Sequence, residues 1–171
     1  MPSLSRKAFL IVDAVLMQVI WVSGVVYQEA GLPFALLAII THFLLSPERQ
    51  QDALILLRIA PIGIALDYGL MQSGIFIFPQ NTLPLWLVFI WCGFAMTMRH
   101  SLAWLAQSKI ILQASIGAVG GTLSYYSGVK FAAVSFGVST NSAILILVVI
   151  WAIVMPLCCY LSKQDIFTEK T

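Results

Sequence analysis

Few side chains in this chain of 171 residues can do chemistry: nine Lys and Arg, seven Asp and Glu and two His interrupt a sequence that is 60% hydrophobic. Asp13, His42, Arg58, Asp67, Arg99 and His100 stand in or at the ends of apolar runs, where an ionisable group is costly and marks a functional position by default. Arg58 and Arg99, with His100 or His42 beside them, are candidates to receive a phosphate or carboxylate, because the planar guanidinium engages such anions through two hydrogen bonds. No HExxH, GxSxG, GxGxxG or Walker-type loop occurs, so no catalytic residue is assigned. Ser101 follows His100 directly, and adjacent helical residues diverge, so the two are no nucleophile and base. Two His argue against a multinuclear metal centre. Cys92, Cys158 and Cys159 lack the paired spacing of a metal knuckle or disulfide framework. Neither metal nor cofactor is expected.

The elements that must position these groups follow from charge. Only 9% of residues are charged, against about 25% in soluble domains. That is too little polar surface to face water, so the solvent is lipid. A net charge of +2 also excludes nucleic-acid binding by a basic surface. A spanning helix needs about 20 mainly apolar residues. Six runs come close: 8–27, 31–46, 52–77, 83–105, 110–128 and 141–161. The polar links between most of them are short, which joins antiparallel neighbours. The first run is too long and too polar for a signal peptide, with Asp13 and Gln18 inside it, and reads as a retained span. Closed barrels are excluded because they show alternating segments of about ten residues. The expectation is an all-α polytopic bundle of six spans forming one integral domain over 1–171. Run 31–46 is short enough to be re-entrant, and 129–140 either extends the fifth span or lies along the outer interface.

With six crossings and the N-terminus inside, Arg6, Lys7, Arg49, Arg99, Lys109, Lys163 and Lys170 fall on the cytoplasmic side and Lys130 outside, the positive-inside pattern. If the fourth span continues past Ser101, then Asp13, His42, Arg58, Arg99 and His100 share a depth of about 6 to 9 Å below that surface. One layer then holds two Arg, two His and one Asp. Its positive excess suits an acidic lipid head group. The plainer reading also stands, with Asp13 neutralising Arg58, Arg99 snorkelling and both His bonded locally.

Asp67 is separate. Gly63, Asp67, Leu70 and Gly74 share one helical face, and Gly117, Gly121, Ser124 and Gly128 repeat that spacing in the fifth span. Both spans run outward, so the two small-residue faces are expected to pack together. Asp67 would lie at the depth of Ser124, near Tyr125, as a proton relay or as a hydrogen-bonded lock between helices.

The run Pro84-Leu-Trp86-Leu, then Phe94-Ala-Met-Thr-Met-Arg-His100-Ser101-Leu-Ala-Trp104-Leu, then Gly117-Ala-Val-Gly-Gly121 and Ser124-Tyr125-Tyr126-Ser-Gly128, resembles the bacterial inner-membrane proteins grouped as domain of unknown function 2878. The likeness spans most of the chain and includes Asp67. The family often has Pro after the double Gly and Asn before His-Ser. Thr122 and Arg99 stand there instead, so Arg99 as an anion ligand does not carry over to relatives. The resemblance implies an inner-membrane location, no established activity and a loose association with proteins that modify membrane fatty acids; both termini are expected in the cytoplasm from the charge distribution.

Three functions follow as expectations. The first is binding or transfer of a small anionic amphiphile, a fatty acid or phospholipid, at the basic layer, with membrane lipids as partners. The second is a small-solute or proton-coupled transporter using Asp67. The third is a non-catalytic accessory subunit for a lipid-modifying protein.

Overall fold

The computed structural model describes residues 5–164. Lys170, counted above with the cytoplasmic basic residues, lies outside them. Helix α1 (Arg6–Tyr27) opens on Ser5, whose hydroxyl accepts from the Ala8 N–H at 3.3 Å, a serine cap supplying an acceptor to an otherwise unpaired donor. At Gln28 the backbone turns to φ +51°, and a single 3₁₀ turn, Gln28–Gly31, leads into α2 (Leu32–Leu45). Helix α2 returns along α1. Gly31 lies so close to the Ser23 backbone that a Cβ would overlap the carbonyl, which is what lets the two helices close into a hairpin.

Helix α3 (Arg49–Gln72) runs out again with Pro61 inside it, and α4 (Leu85–Thr97) returns. A one-turn helix α5 (Ala103–Ala106) precedes α6 (Ile110–Lys130) and α7 (Thr140–Ser162), which pack along each other. Two strands, β1 (Phe76–Ile77) and β2 (Ser135–Phe136), pair antiparallel with Phe76 opposite Phe136. They close the end of the bundle opposite Asp13 and His42.

Three boundaries differ from the sequence reading. The third run does not stay helical to 77: α3 stops at Gln72, Gly74 takes φ +72°, and Phe76–Ile77 is strand. The fourth run does not stay helical to 105. Residues Met98 and Arg99 switch to i→i−3 bonds and the Leu102 N–H reaches back to the Thr97 carbonyl, so α4 tightens and ends. Region 129–140 extends α6 only to Lys130, then turns at Ala132 (φ +56°) into β2.

Among the described residues, three segments are long and apolar enough to cross a membrane: Arg6–Leu45, which reverses at Gln28, Arg49–Gln72 and Thr140–Ser162. At 1.5 Å per residue α2 and α4 reach only about 20 Å. Helix α6 is long enough, but its Gly, Ser and Tyr residues lower its hydropathy. The packing is inside-out for a water-soluble protein. Ile11, Val15, Val19, Val22 and Val26 on α1, and Leu145, Val149, Ile153 and Leu157 on α7, form exposed stripes, while Asp13, His42, Asp52 and Asp67 are at most 2% exposed. Soluble monomers rarely expose continuous apolar faces of this extent.

The two small-residue faces do not meet each other. A Cβ at Gly63 would overlap the Trp91 indole of α4; Cβ atoms at Gly117 and Gly121 would overlap Met155 and Trp151 of α7. Trp91 and Trp151 stack on one another with centroids 5.5 Å apart and planes 1° from parallel. The glycines thus make room for a pair of stacked indoles between α3 and α6. Gly74 belongs to the turn after α3 and Gly128 lies against Val134, so neither joins two helix faces.

Substituting Gly63 or Gly121 by Ala should therefore lower stability by about 1 to 3 kcal/mol, the usual cost of overpacking. Gly69→Ala, where an added Cβ meets nothing, should be neutral or stabilising by up to about 1 kcal/mol. Thermal unfolding of the purified variants in detergent checks the order.

Candidate functional site

Four segments converge at one end of the bundle. Asp13 comes from the second turn of α1, His42 from the last turn of α2, Asp52 from the first turn of α3, and Arg99, His100 and Ser101 from the break after α4. His42 Nδ1 lies 3.1 Å from Asp13 Oδ1 and its Nε2 3.2 Å from Asp52 Oδ2. His100 Nε2 lies 2.8 Å from Asp52 Oδ1. The Ser46 hydroxyl donates to Asp52 Oδ2, and the Ser101 N–H donates to Asp13 Oδ2 at 3.0 Å. Phe9 packs its ring edge to face against His100 at 4.8 Å and helps keep water out. An imidazole facing a carboxylate at each nitrogen can donate at both when it is protonated, and at one when it is neutral.

The break in α4 is what aims these groups inward. Had the helix continued, the Ser101 N–H would bond the Thr97 carbonyl; instead it reaches Asp13 across to α1. Arg99 is held by Glu48, with its Nε 3.8 Å from Asp52 Oδ1.

A polar cavity of about 720 Å³ opens beside this cluster, lined by Arg6, Arg49, Arg99, Glu48, Ser46 and His100 with Phe9 and Trp104. A second cavity, an apolar slot of about 440 Å³, lies between α1, α4, α6 and α7. Its walls are largely aromatic: Trp21, Trp86, Trp91, Phe94, Tyr125 and Trp151. Along α1 it extends from Ala14 to Val25, about 16 Å at 1.5 Å per residue. Ala14, Gln18 and Gly120 are exposed, so the slot opens sideways between α1 and α6. Trp21 Nε1 donates to Ser124 Oγ at 2.8 Å and ties those helices together. Ser101 lines the polar cavity, the apolar slot and a shallow groove along α1 that shares lining residues with both.

The residues singled out from sequence are only partly gathered. Asp13, His42, Arg99 and His100 come together as expected, but Arg58 does not join them. It lies six residues beyond Asp52, about 240° further round the helix, and donates to the Gln164 carbonyl at 2.8 Å. Asp13 meets His42 in place of Arg58. Asp52 and Glu48, left out of the layer because they stand at the polar start of α3, both enter it, and with three carboxylates present the positive excess disappears. The signal that could have found Asp52 is its position four residues after Glu48, in the first turn of a helix that follows His42 by a short link.

Asp67 is fully buried; Trp91 Nε1 donates to Oδ2 and the Tyr125 hydroxyl to Oδ1, each at 2.6 Å. Ser124 instead accepts from Trp21.

Comparison with known proteins adds a family and no activity: the family described as protein of unknown function, DUF2878, matches residues 10–157. No curated protein and no solved structure matches the chain.

Asp67 joins α3, α4 and α6 through two short bonds, so the lock can be tested directly. Asp67→Ala leaves two buried donors unsatisfied, at about 1 to 3 kcal/mol each. Asp67→Asn keeps an acceptor for Trp91 and offers an N–H to the Tyr125 oxygen, and should cost about 1 kcal/mol. Thermal unfolding in detergent reads the difference; equal losses in the two variants would remove the lock.

Proposed function

The chain belongs to the DUF2878 family, whose members are of unknown function, and we propose from its geometry that it is a six-span inner-membrane protein that binds a small anionic amphiphile. The acyl chain occupies the aromatic slot and the acidic head the polar cavity. The observation that carries this reading is the adjacency of the two: Ser101 lines both, and the groove over Leu10, Ala14 and Gln18 shares lining residues with each. Arg6, Arg49 and Arg99 line the polar end with Glu48, and such guanidinium groups favour a carboxylate or phosphate. The slot is of ordinary ligand-site size, mostly apolar with a few polar groups. Its opening between α1 and α6 lets a lipid enter sideways.

The same reading sets the topology. The alternating course of α1, α2, α3, α4, α6 and α7 supports six crossings, α2 and α4 being accommodated by local thinning of the bilayer. The basic residues Arg6, Lys7, Arg49, Arg99, Lys109 and Lys163, read by the positive-inside pattern, support a cytoplasmic location for both termini. Transport through Asp67 is less well supported, because the carboxylate is sealed behind Trp91 and Tyr125 and does not line the slot.

Gly120 gives a test that spares the fold, since a Cβ there meets nothing within 4 Å. Gly120→Phe fills the opening and should reduce the lipid retained on the purified protein at least tenfold, about 1.4 kcal/mol, by mass spectrometry of the extract. Gly69→Phe, at an equally open position outside the slot, should retain it. Arg6→Gln and Arg49→Gln, both at exposed positions, should each weaken binding by about two- to fivefold. Equal lipid on all variants would overturn the reading and leave the accessory-subunit role. A reporter fused at either terminus should be active only on the cytoplasmic side; an active periplasmic fusion at one end would remove the six-span topology.

A further inference from the structure

Asp13, His42 and Asp52 lie buried behind the polar cavity and do not line it, and His100 stands at the boundary. We propose that His42, Asp52 and His100 bind one divalent transition-metal ion, with Asp13 as the outer carboxylate that orients His42. One donor atom from each of the three ligands lies within 4.8 Å of the others, and the two N···O separations are 3.2 and 2.8 Å. Ligands at about 2.0 to 2.2 Å from zinc lie roughly 3.4 Å apart in a tetrahedron, so the two imidazoles, each already against a different oxygen of Asp52, stand within about 0.6 Å of ligand spacing from that carboxylate.

One further observation points the same way. A metal-ligating His commonly gives its other ring N–H to a carboxylate, which fixes the tautomer and turns the lone pair to the ion. Asp13 stands in that place on His42 Nδ1 and is itself held by the Ser101 N–H.

Two imidazole nitrogens and a carboxylate suit Zn²⁺, Fe²⁺ or Co²⁺ better than Mg²⁺ or Ca²⁺, which take oxygen ligands. Three protein ligands leave a coordination position for water, and the polar cavity that Ser46 and His100 line lies beside it. The ligands come from α2, α3 and the break after α4, so the ion pins three segments at once.

The test uses the full chain in detergent, stripped with a chelator and titrated with Co²⁺, followed by visible absorption and elemental analysis. One Co²⁺ per chain is expected, with the absorption of a low-coordinate nitrogen and oxygen site, displaced by Zn²⁺ and not by Mg²⁺. Asp13→Asn should weaken binding by about 10- to 100-fold, and His100→Asn should abolish stoichiometric uptake. The wild-type protein decides the matter alone if a variant fails to fold: no saturable Co²⁺ uptake overturns the proposal. Uptake that persists in folded His42→Asn and His100→Asn proteins overturns it as well, by placing the ion elsewhere. Lipid retention is measured on the same samples, so loss of the metal site and loss of the amphiphile site are read separately.

Discussion

A carboxylate removed from water must be paired, and Asp52 is fully removed. Its two oxygens take His42 from α2, His100 from the break after α4 and the hydroxyl of Ser46, with the Arg99 guanidinium alongside. No single helix provides those partners. The chain therefore has to bring the end of α2, the start of α3 and the end of α4 to one point, and Asp13 on α1 is drawn in through the other side of His42. The polar cavity is the space left around this knot, bounded by the basic residues of the same helix ends.

A second constraint acts at mid-bundle. Two indoles stacked face to face need a wall without side chains behind each of them, and Gly63 and Gly121 provide those walls. The stack holds α4 against α7, while Asp67 takes the Trp91 N–H and the Tyr125 hydroxyl and holds α3 to both α4 and α6. Helices α1 and α6 have no comparable contact; a Trp21 to Ser124 hydrogen bond joins them. The apolar slot lies where the packing is thinnest, and for that reason it opens on the side of the bundle.

Much of this was legible in the residues. Asp13, His42, Arg99 and His100 stand out as polar groups in apolar surroundings, and they do share a layer. Asp67 stands out in the same way and does meet Tyr125. Arg58 stands out equally and goes elsewhere, because depth along a helix says nothing about which way round it a residue points. Asp52 does not stand out at all: beside Glu48, Arg49 and two glutamines it has the appearance of a solvated helix start. The small-residue spacing of α3 and α6 correctly marks faces of close approach, but a glycine face admits a helix backbone and a tryptophan ring equally well, and here it admits the rings.

What the sequence by itself determined is the environment and the course of the chain: too few charges for a water-facing surface, apolar runs of helical length, short links that make neighbours antiparallel, and membership of a family that matches residues 10–157. These are properties of composition and local order, and no long-range contact can reverse them. The tertiary structure decided the sign and the shape of the site. Ending α4 at Thr97 turned three residues inward, and burying Asp52 changed a basic layer into a balanced cluster of carboxylates and imidazoles. Both depend on hydrogen bonds between residues as far apart as 48 and 88 positions. Such bonds form because a buried polar group must find its partner wherever the fold places one.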